Sequence, residues 1–215
     1  MNRVTFLVDG FNLYHSVRLA ERDLKASTKW LDIKSLCLSY LPLIANTVKT
    51  KTQLAEIHYF SALAAHLEAT NPDVTDRHKI FIRCLKSTGI LVELSRFKEK
   101  QVRCPLCGGC FSKHEEKETD VAMAMKLFEL FHNDRCDTAI LLTGDTDLGP
   151  AVRTANKLFP AKRILFAFPY KRMNRELSKL APGSFKINRK QYVRHQFPDP
   201  FILSNGTKIR KPSKW

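Results

Sequence analysis

Residues Thr138–Thr143 read TAILLT, the strongest strand pattern in this sequence of 215 residues. A short run of β-branched and aliphatic residues that stops at Gly144 is typical of a strand buried on both faces. The stretch Val4–Val8 (VTFLV) has the same character near the start of the chain. We therefore expect both segments to be interior strands of one parallel sheet.

Outward from these two segments, strand patterns and helical patterns alternate. Further strand patterns lie at Glu56–Ala62, Ile90–Leu94 and Ile164–Phe168. One helical segment, Val121–Phe131, is apolar almost all round, which predicts a largely buried helix. The alternation predicts an α/β fold, in which a parallel sheet of about five strands carries helices on both faces.

Composition excludes several classes of protein. With 44% hydrophobic and 27% charged residues, the chain is not disordered, coiled-coil or collagen-like. Its 36 Lys and Arg against 21 Asp and Glu give a formal charge of +15, which favours polyanionic partners, RNA among them. No run approaches the roughly 18 apolar residues of a membrane span, and the segment before Asp9 is too short for a signal peptide. We expect a soluble, cytoplasmic protein.

The pattern divides the chain into one domain and a tail. We expect a folded domain over residues 1–187, with a cysteine-rich loop inserted at 97–114, and a basic C-terminal tail over 188–215. Apolar periodicity fades where the tail begins, and Lys and Arg accumulate there. Aromatic residues interleave with these charges and either stack on unpaired bases or anchor the tail on the domain. They are Phe185, Tyr192, Phe197 and Phe201.

Four aspartates are candidates for a site at one edge of the sheet. Asp9 follows the first strand, and Asp145 and Asp147 follow the strand at Thr138–Thr143. Asp120 heads the apolar face of the buried helix and should point towards the sheet. Ligands of open parallel sheets bind beyond the carboxyl ends of the strands, so we expect these acids to converge. Taken singly, each has a structural alternative, such as a turn at Asp9 or a helix cap at Asp147.

Converging carboxylates require a cation, because two of them about 4 Å apart repel by roughly 4 kcal/mol at an effective dielectric of 20. An all-oxygen cluster suits Mg²⁺ or Mn²⁺, both of which also take phosphate oxygens as ligands. The chemistry indicated is metal-assisted hydrolysis of a phosphodiester, in which the ion activates a water and neutralises developing charge.

Three motifs resemble those of the NYN family, nuclease domains of the PIN-like superfamily that include the bacterial LabA-type proteins. The motifs are Phe6–Leu13 (FLVDGFNL), Glu116–Val121 (EKETDV) and Leu142–Leu148 (LTGDTDL), and the similarity extends over about Met1–Ala181. This resemblance implies a Rossmann-like, PIN-like α/β fold and a Mg²⁺- or Mn²⁺-dependent ribonuclease acting on RNA. The family also includes an aromatic hydroxylase that acts on a pyridine compound.

The resemblance also implies two sets of site residues. The catalytic set is Asp9, Asn12, Asp120, Asp145 and Asp147. The substrate-binding set is Thr143, Lys117 and Asn174. Within the first set, Asp9, Asp120 and Asp145 would bind the metal ion, with Asp147 supporting them. Asn12 would hydrogen-bond to a metal ligand or to the scissile phosphate, and Thr143 would brace the site.

A separate motif precedes the buried helix. Cys104, Cys107 and the glycines after them have the form of a zinc knuckle, and Cys110 and His114 extend it to Cys-x₂-Cys-x₂-Cys-x₃-His, four potential zinc ligands. So tight a spacing is sterically awkward, so Cys110 is either a ligand or a bystander, and the fourth ligand is either His114 or a residue from elsewhere in the chain. The alternative is a reduced cysteine loop without metal. Zinc here would be structural and would pin the loop that delivers Asp120.

Three functions remain open from the sequence. The favoured one is a metal-dependent ribonuclease. The second is a non-catalytic RNA-binding regulatory module, against which the complete set of aspartates argues. The third is a small-molecule enzyme such as a pyridine-type hydroxylase, against which the lack of a Gly-x-Gly-x-x-Gly motif after the first strand argues.

Overall fold

The computed structural model describes all residues from Met1 to Trp215 and is built on one seven-stranded sheet. In chain order the strands are β1 (Asn2–Asp9), β2 (Thr52–Ala62), β3 (Leu91–Arg103), β4 (Cys110–Lys117), β5 (Thr138–Leu142), β6 (Arg163–Phe168) and β7 (Ser184–Lys186). Across the sheet their order is β4-β3-β2-β1-β5-β6-β7. All neighbours are parallel except β3 and β4, which form an antiparallel hairpin.

Helices cover both faces of this sheet, which confirms the predicted architecture. Side chains of successive residues in β1 point to opposite faces, so Phe6 lies in one buried cluster and Leu7 in the other. The Phe6 cluster includes side chains from α1 (Gly10–Leu24), α2 (Ile33–Ser39), α3 (Leu41–Val48), α4 (Val74–Ser87) and α8 (Arg189–Arg194). The Leu7 cluster includes side chains from α5 (Thr119–His132), α6 (Gly149–Leu158) and α7 (Arg175–Leu180).

The strand order reverses direction at β1. From β1 the chain runs outward through β2 to β3, and later returns to the other side of β1 through β5, β6 and β7. The carboxyl ends of β1 and β5 therefore diverge into α1 and α6 on opposite faces of the sheet. Such a switch point is where open α/β sheets bind their ligands.

The expected loop at 97–114 is wrong in form, because most of it is strand. β3 continues to Arg103, and β4 returns antiparallel from Cys110, so that only the tip between them is irregular. Beyond the first few residues this hairpin is exposed. Because the outer part of the hairpin does not pack on a core, its sequence shows no alternation of apolar and polar residues. The strands could therefore not be predicted from the sequence. The sheet accordingly has seven strands, where about five were expected.

Residues 188–215 form an ordered segment packed on the Phe6 face of the sheet. The segment contains α8 and a short hairpin of β8 (Phe201–Ile202) and β9 (Lys208–Ile209). Tyr192 is fully buried and Phe197 is 3% exposed, and both belong to the main core. These two aromatic side chains therefore anchor the segment, so the alternative that they stack on unpaired bases is wrong.

No helix of the protein combines the length and the apolar character needed to cross a membrane.

Candidate metal centre

Asp9 ends β1 and caps α1, which begins at the next residue. One carboxylate oxygen accepts a hydrogen bond from the backbone N–H of Asn12 at 2.8 Å, and the other accepts one from the Thr143 hydroxyl at 2.8 Å. The abrupt change from strand to helix requires Gly10, because a Cβ there would lie 2.5 Å from the Tyr59 ring. The carboxylate is therefore held rigidly at the switch point.

The chain after β5 reaches the same point from the other side. Thr143 is fully buried, and its hydroxyl also accepts a hydrogen bond from the backbone N–H of Asp145 at 3.1 Å. The N–H of Gly144 donates to the side-chain oxygen of Asn12 at 3.2 Å. A Cβ on Gly144 would lie 2.1 Å from the carbonyl oxygen of Arg172, so only glycine fits this position.

Asp120 approaches from the Leu7 face of the sheet, in the first turn of α5. The chain turns from β4 into α5 at Glu118, whose φ of 78° lies in the left-handed region that non-glycine residues seldom adopt. In the same turn the Thr119 hydroxyl donates to the Glu116 carboxylate at 2.7 Å. This arrangement places the half-buried side chain of Asp120 opposite Asp9 and Asp145.

Together, Asp9, Asp120 and Asp145 form a carboxylate triad. One oxygen from each lies within 4.8 Å of the others. They line a small pocket of about 90 Å³ together with Phe11, Asn12, Glu116, Glu118 and Thr119. No cationic side chain lines this pocket, and its only acid in an ion pair is the exposed Glu118, which pairs with Arg96 at 2.6 Å. The three carboxylates of the triad therefore have no cationic partner.

Electrostatics of the triad reflect this crowding. Burial, with smaller contributions from the charges of Glu116 and Asp145, raises the pKa of Asp9 to about 6, against the two hydrogen bonds that stabilise its charged form. Burial also raises the pKa of Asp120 to about 6, with contributions from Asp145, Asp9 and Asp147. The donor set fits a divalent cation, since it offers only oxygens and gathers charges that repel one another.

Three other predicted site residues lie outside the triad. Asp147 is exposed, and the expected cap role belongs instead to Asp145, whose carboxylate accepts the N–H of Asp147 at 3.1 Å. Lys117 is exposed and pairs with Glu115 at 2.9 Å. Asn174 caps α7 by accepting the N–H groups of its first turn.

Sequence reasoning missed two acids and one aromatic residue that line the pocket. The pattern around Glu116 and Glu118 is typical of the charged first turn of a helix, whereas Glu116 belongs to β4. Burial raises the pKa of Glu116, with a contribution from Asp120. Phe11 lies between Asp9 and Asn12 in the sequence, and its place in the first motif was the signal that could have identified it.

The four predicted zinc ligands are not brought together. His114 pairs with Glu99 in the hairpin, four residues along β4 from Cys110, and its ring stacks on His66 with centroids 4.3 Å apart. At about 3.4 Å per residue of antiparallel strand, it lies roughly 14 Å from the hairpin tip. Three donors of a four-ligand set therefore remain at the tip, namely Cys104, Cys107 and Cys110.

The three motifs that build this edge of the sheet match a family model. The model describes the NYN domain and matches residues 3–188. The chain belongs to the NYN family. This NYN domain therefore comes from a PIN-like nuclease family, which supports a nuclease-type function and a nucleic acid as substrate. Divalent metals are typical of PIN-like nucleases, and the carboxylate triad is the group of residues suited to one.

Comparisons with individual proteins add support for the fold. The NYN domain is similar to the crystal structure of a protein of unknown function from Vibrio parahaemolyticus, with 16% identity and a TM-score of 0.54, over 87% of this chain and 93% of that chain. MurG from Acinetobacter baumannii, at 11% identity and a TM-score of 0.39 over 97% of this chain and 46% of that one, is too distant to carry an argument. No curated protein matches the chain.

Proposed function

We propose that the protein is a ribonuclease that hydrolyses RNA phosphodiester bonds with a Mg²⁺ or Mn²⁺ ion held by Asp9, Asp120 and Asp145. The observation that carries this proposal is the carboxylate triad, whose oxygens lie within 4.8 Å of one another in a pocket without a cationic residue. A bound ion would lower the pKa of a water and neutralise charge that develops on the phosphate.

The chain's own residues hold this arrangement in place before any substrate arrives. Thr143 joins the two sides of the switch point, because its hydroxyl donates to Asp9 and accepts from the Asp145 backbone. Being fully buried, it acts through these aspartates. Asn12 uses its side-chain oxygen on Gly144, which leaves its NH₂ group to donate to a phosphate oxygen in the pocket.

The remaining predicted residues enter the proposal with lesser roles. Asp147 would support a bound cation electrostatically, since its negative charge reaches the site, where it repels the Asp120 carboxylate and raises its pKa. Lys117 would contact substrate only after breaking its ion pair with Glu115. Asn174 would do so only after giving up its hydrogen bonds to the first turn of α7. RNA as substrate is supported by the formal charge of +15, since a protein with this surplus of cations attracts a phosphate backbone.

The decisive experiment is cleavage of a labelled single-stranded RNA by the wild type in Mn²⁺ and in EDTA, with Asp145→Asn in parallel. Substitution of a metal ligand should reduce cleavage by more than about 100-fold, since even outer-shell partners of metals contribute 10–100-fold. Asp76→Asn is a matched control, because Asp76 is an exposed acid on α4 that pairs only with Lys79.

Each outcome decides between function classes. Cleavage that requires Mn²⁺, is lost in Asp145→Asn and is kept in Asp76→Asn establishes that the protein is a nuclease. Tight, salt-sensitive RNA binding without cleavage supports the non-catalytic binding module instead. If the protein neither cleaves nor binds RNA, the small-molecule enzyme becomes the better hypothesis.

We also propose a structural zinc site at the hairpin tip, with thiolates from Cys104, Cys107 and Cys110. Backbone N–H groups of Cys107 and Leu106 donate to the Cys104 sulfur and lower the pKa of its thiol, as a metal-binding thiolate needs. Elemental analysis should find zinc in the wild type and in His114→Ala, and should find none in the double variant Cys104→Ser, Cys107→Ser. Wild-type protein purified without zinc contradicts this proposal.

A further inference from the structure

A second and larger cavity lies directly beside the carboxylate triad. Its volume is about 460 Å³, within the range of about 300–1,000 Å³ that is usual for ligand pockets. It lies on the Phe6 face of the sheet, between α1 and α4, with Lys214 and Trp215 on its wall. Phe11 lines both this cavity and the pocket of the triad, so the two are adjacent across one side chain.

Aromatic side chains form much of the wall of this cavity. They are Phe11, Tyr14, Tyr59, Phe81, Phe97 and Trp215. Phe11 and Phe97 meet edge to face with centroids 6.2 Å apart, and Phe81 and Trp215 do so at 5.5 Å. Walls of this kind offer ring faces to a planar apolar group.

The charges around the cavity are opposite in sign to those around the triad. No Asp or Glu lines it, whereas Arg18, Lys29, Arg77 and Lys214 all do. Lys29 is paired with Glu21, and Arg77 donates to the Pro72 carbonyl and to Asn71. Arg18 and Lys214 form no ion pair, and the Arg18 guanidinium lies over the Tyr14 ring at 5.8 Å. They are therefore free to meet an anion.

One polar side chain on the wall, that of His78, can form hydrogen bonds with the edge of a planar group. His78 is half-buried, and burial lowers its pKa to about 4. Its imidazole is consequently neutral at physiological pH and presents one donor and one acceptor. Ser61 and Asn71 add further polar atoms to the same wall.

We propose that this cavity binds an unpaired base of the RNA next to the phosphodiester held at the triad. The inference rests on the proposed function and adds to it a recognition site for the substrate. A base with its ribose phosphate is a planar aromatic group attached to an anion, which matches aromatic walls with unpaired cations at the rim. Because Phe11 lines both pockets, a base in the cavity lies beside the carboxylates of the triad. The base must be unpaired, because the bases of a duplex are stacked inside it and cannot enter the cavity.

The test compares two polymers of ten residues with the full-length protein. One is a single-stranded RNA of mixed sequence, and the other has the same ribose-phosphate backbone without bases. Binding is measured in EDTA and cleavage is measured in Mn²⁺. Wild-type protein should bind the RNA about 10-fold more tightly than the base-free polymer, as expected for stacking of one base on aromatic side chains.

Two variants and a matched control locate the effect. Tyr14→Ala removes an aromatic wall residue that is 40% exposed, and it should abolish most of the 10-fold preference. Arg18→Gln should weaken binding of both polymers and reduce its salt dependence. Arg22→Gln, one turn further along α1 and outside the cavity, should do neither. Thermal unfolding of each variant confirms that it is folded.

The outcomes separate this inference from the proposed function. If wild-type protein binds and cleaves the base-free polymer as well as RNA, or if Tyr14→Ala keeps the full preference, the inference is overturned and the nuclease stands. Preferential RNA binding in EDTA with no cleavage in Mn²⁺ supports the base site and overturns the hydrolysis. Tight binding of nicotinate, a free aromatic acid, without any preference for RNA over the base-free polymer, assigns the cavity to a small molecule and also overturns the inference.

Discussion

Replacement of Asp120 by asparagine tests whether repulsion among the three carboxylates of the triad destabilises the metal-free protein. The Asp120 carboxylate accepts no hydrogen bond, and its pKa is raised to about 6 by burial and by the charges of Asp145, Asp9 and Asp147. The amide has nearly the same size, so the variant removes a charge and little else. We expect the metal-free variant to be more stable than the wild type at pH 8.

The size of this gain follows from the geometry. Oxygens of the triad lie within 4.8 Å of one another, and two unit charges at that distance repel by about 3.5 kcal/mol at an effective dielectric of 20. Asp120 is half-buried, so solvent screens part of this repulsion. We therefore expect the free energy of unfolding in EDTA to rise by about 2 kcal/mol.

The dependence on pH has a definite sign. The pKa of Asp120 in the folded protein, about 6, lies above the value of about 4 in the unfolded chain. The stabilising effect of the bound proton is therefore fully present below about pH 4 and is lost as the pH rises from 4 through 6, because over that range the unfolded chain releases the proton while the folded protein still holds it. The advantage of Asp120→Asn should accordingly disappear near pH 4.

Urea unfolding in EDTA and in Mn²⁺ measures both effects. An ion present at 100 times its dissociation constant should stabilise the wild type by about 2.7 kcal/mol, and it should stabilise Asp120→Asn much less. Asp76→Asn, remote from the triad, should behave as the wild type in both conditions. A variant that is less stable than the wild type in EDTA at pH 8, or that gains as much from Mn²⁺, refutes the reasoning.

Three further substitutions test the surroundings of the triad and the cavity beside it. Thr143→Val removes the hydroxyl between Asp9 and the Asp145 backbone and should lower Mn²⁺ affinity by about 10–100-fold in a calorimetric titration; Thr138→Val, whose buried hydroxyl has no partner, should leave that affinity unchanged. Gly144→Ala brings a Cβ to 2.1 Å from the Arg172 carbonyl oxygen and should lower the free energy of unfolding by at least about 2 kcal/mol in urea. Burial lowers the pKa of His78 to about 4, so the free energy of unfolding should fall as the pH drops from about 6.5 towards 4. His78→Gln should reduce this dependence on pH in thermal unfolding curves. If the variant shows the same dependence as the wild type, His78 is not a buried, neutral histidine.

The parts of the fold predicted from the sequence are those that are buried on both sides. β1 contains the nearly continuous apolar run Val4–Val8, β5 contains Ala139–Leu142, and α5 is apolar almost all round, so each is recognisable without its neighbours. The aspartates at the ends of these elements follow from the rule that parallel strands expose their carboxyl ends at one edge. Convergence of Asp9, Asp120 and Asp145 could therefore be expected from the sequence alone.

Features held by irregular contacts could not be predicted in this way. The outer half of β3 has no buried face and so no alternation, and its partner β4 has the charged, irregular composition that is typical of a loop. In residues 188–215 the buried side chains follow no period, because they fill gaps left by other elements instead of forming a face of their own. The cavity beside the triad draws on α1, β2, α4 and Trp215, and only the folded chain shows that these meet.

The position of the triad in the sequence bears on how the protein becomes active. Its three carboxylates come from the first strand, from the start of α5 and from the loop after β5, and long stretches of chain separate them. Such distant contacts are the slow ones in folding, because the loops between them must close first. In a chain still emerging from the ribosome, the three carboxylates are therefore not brought together until β5 has paired with β1. The metal-binding triad forms only when this part of the sheet forms.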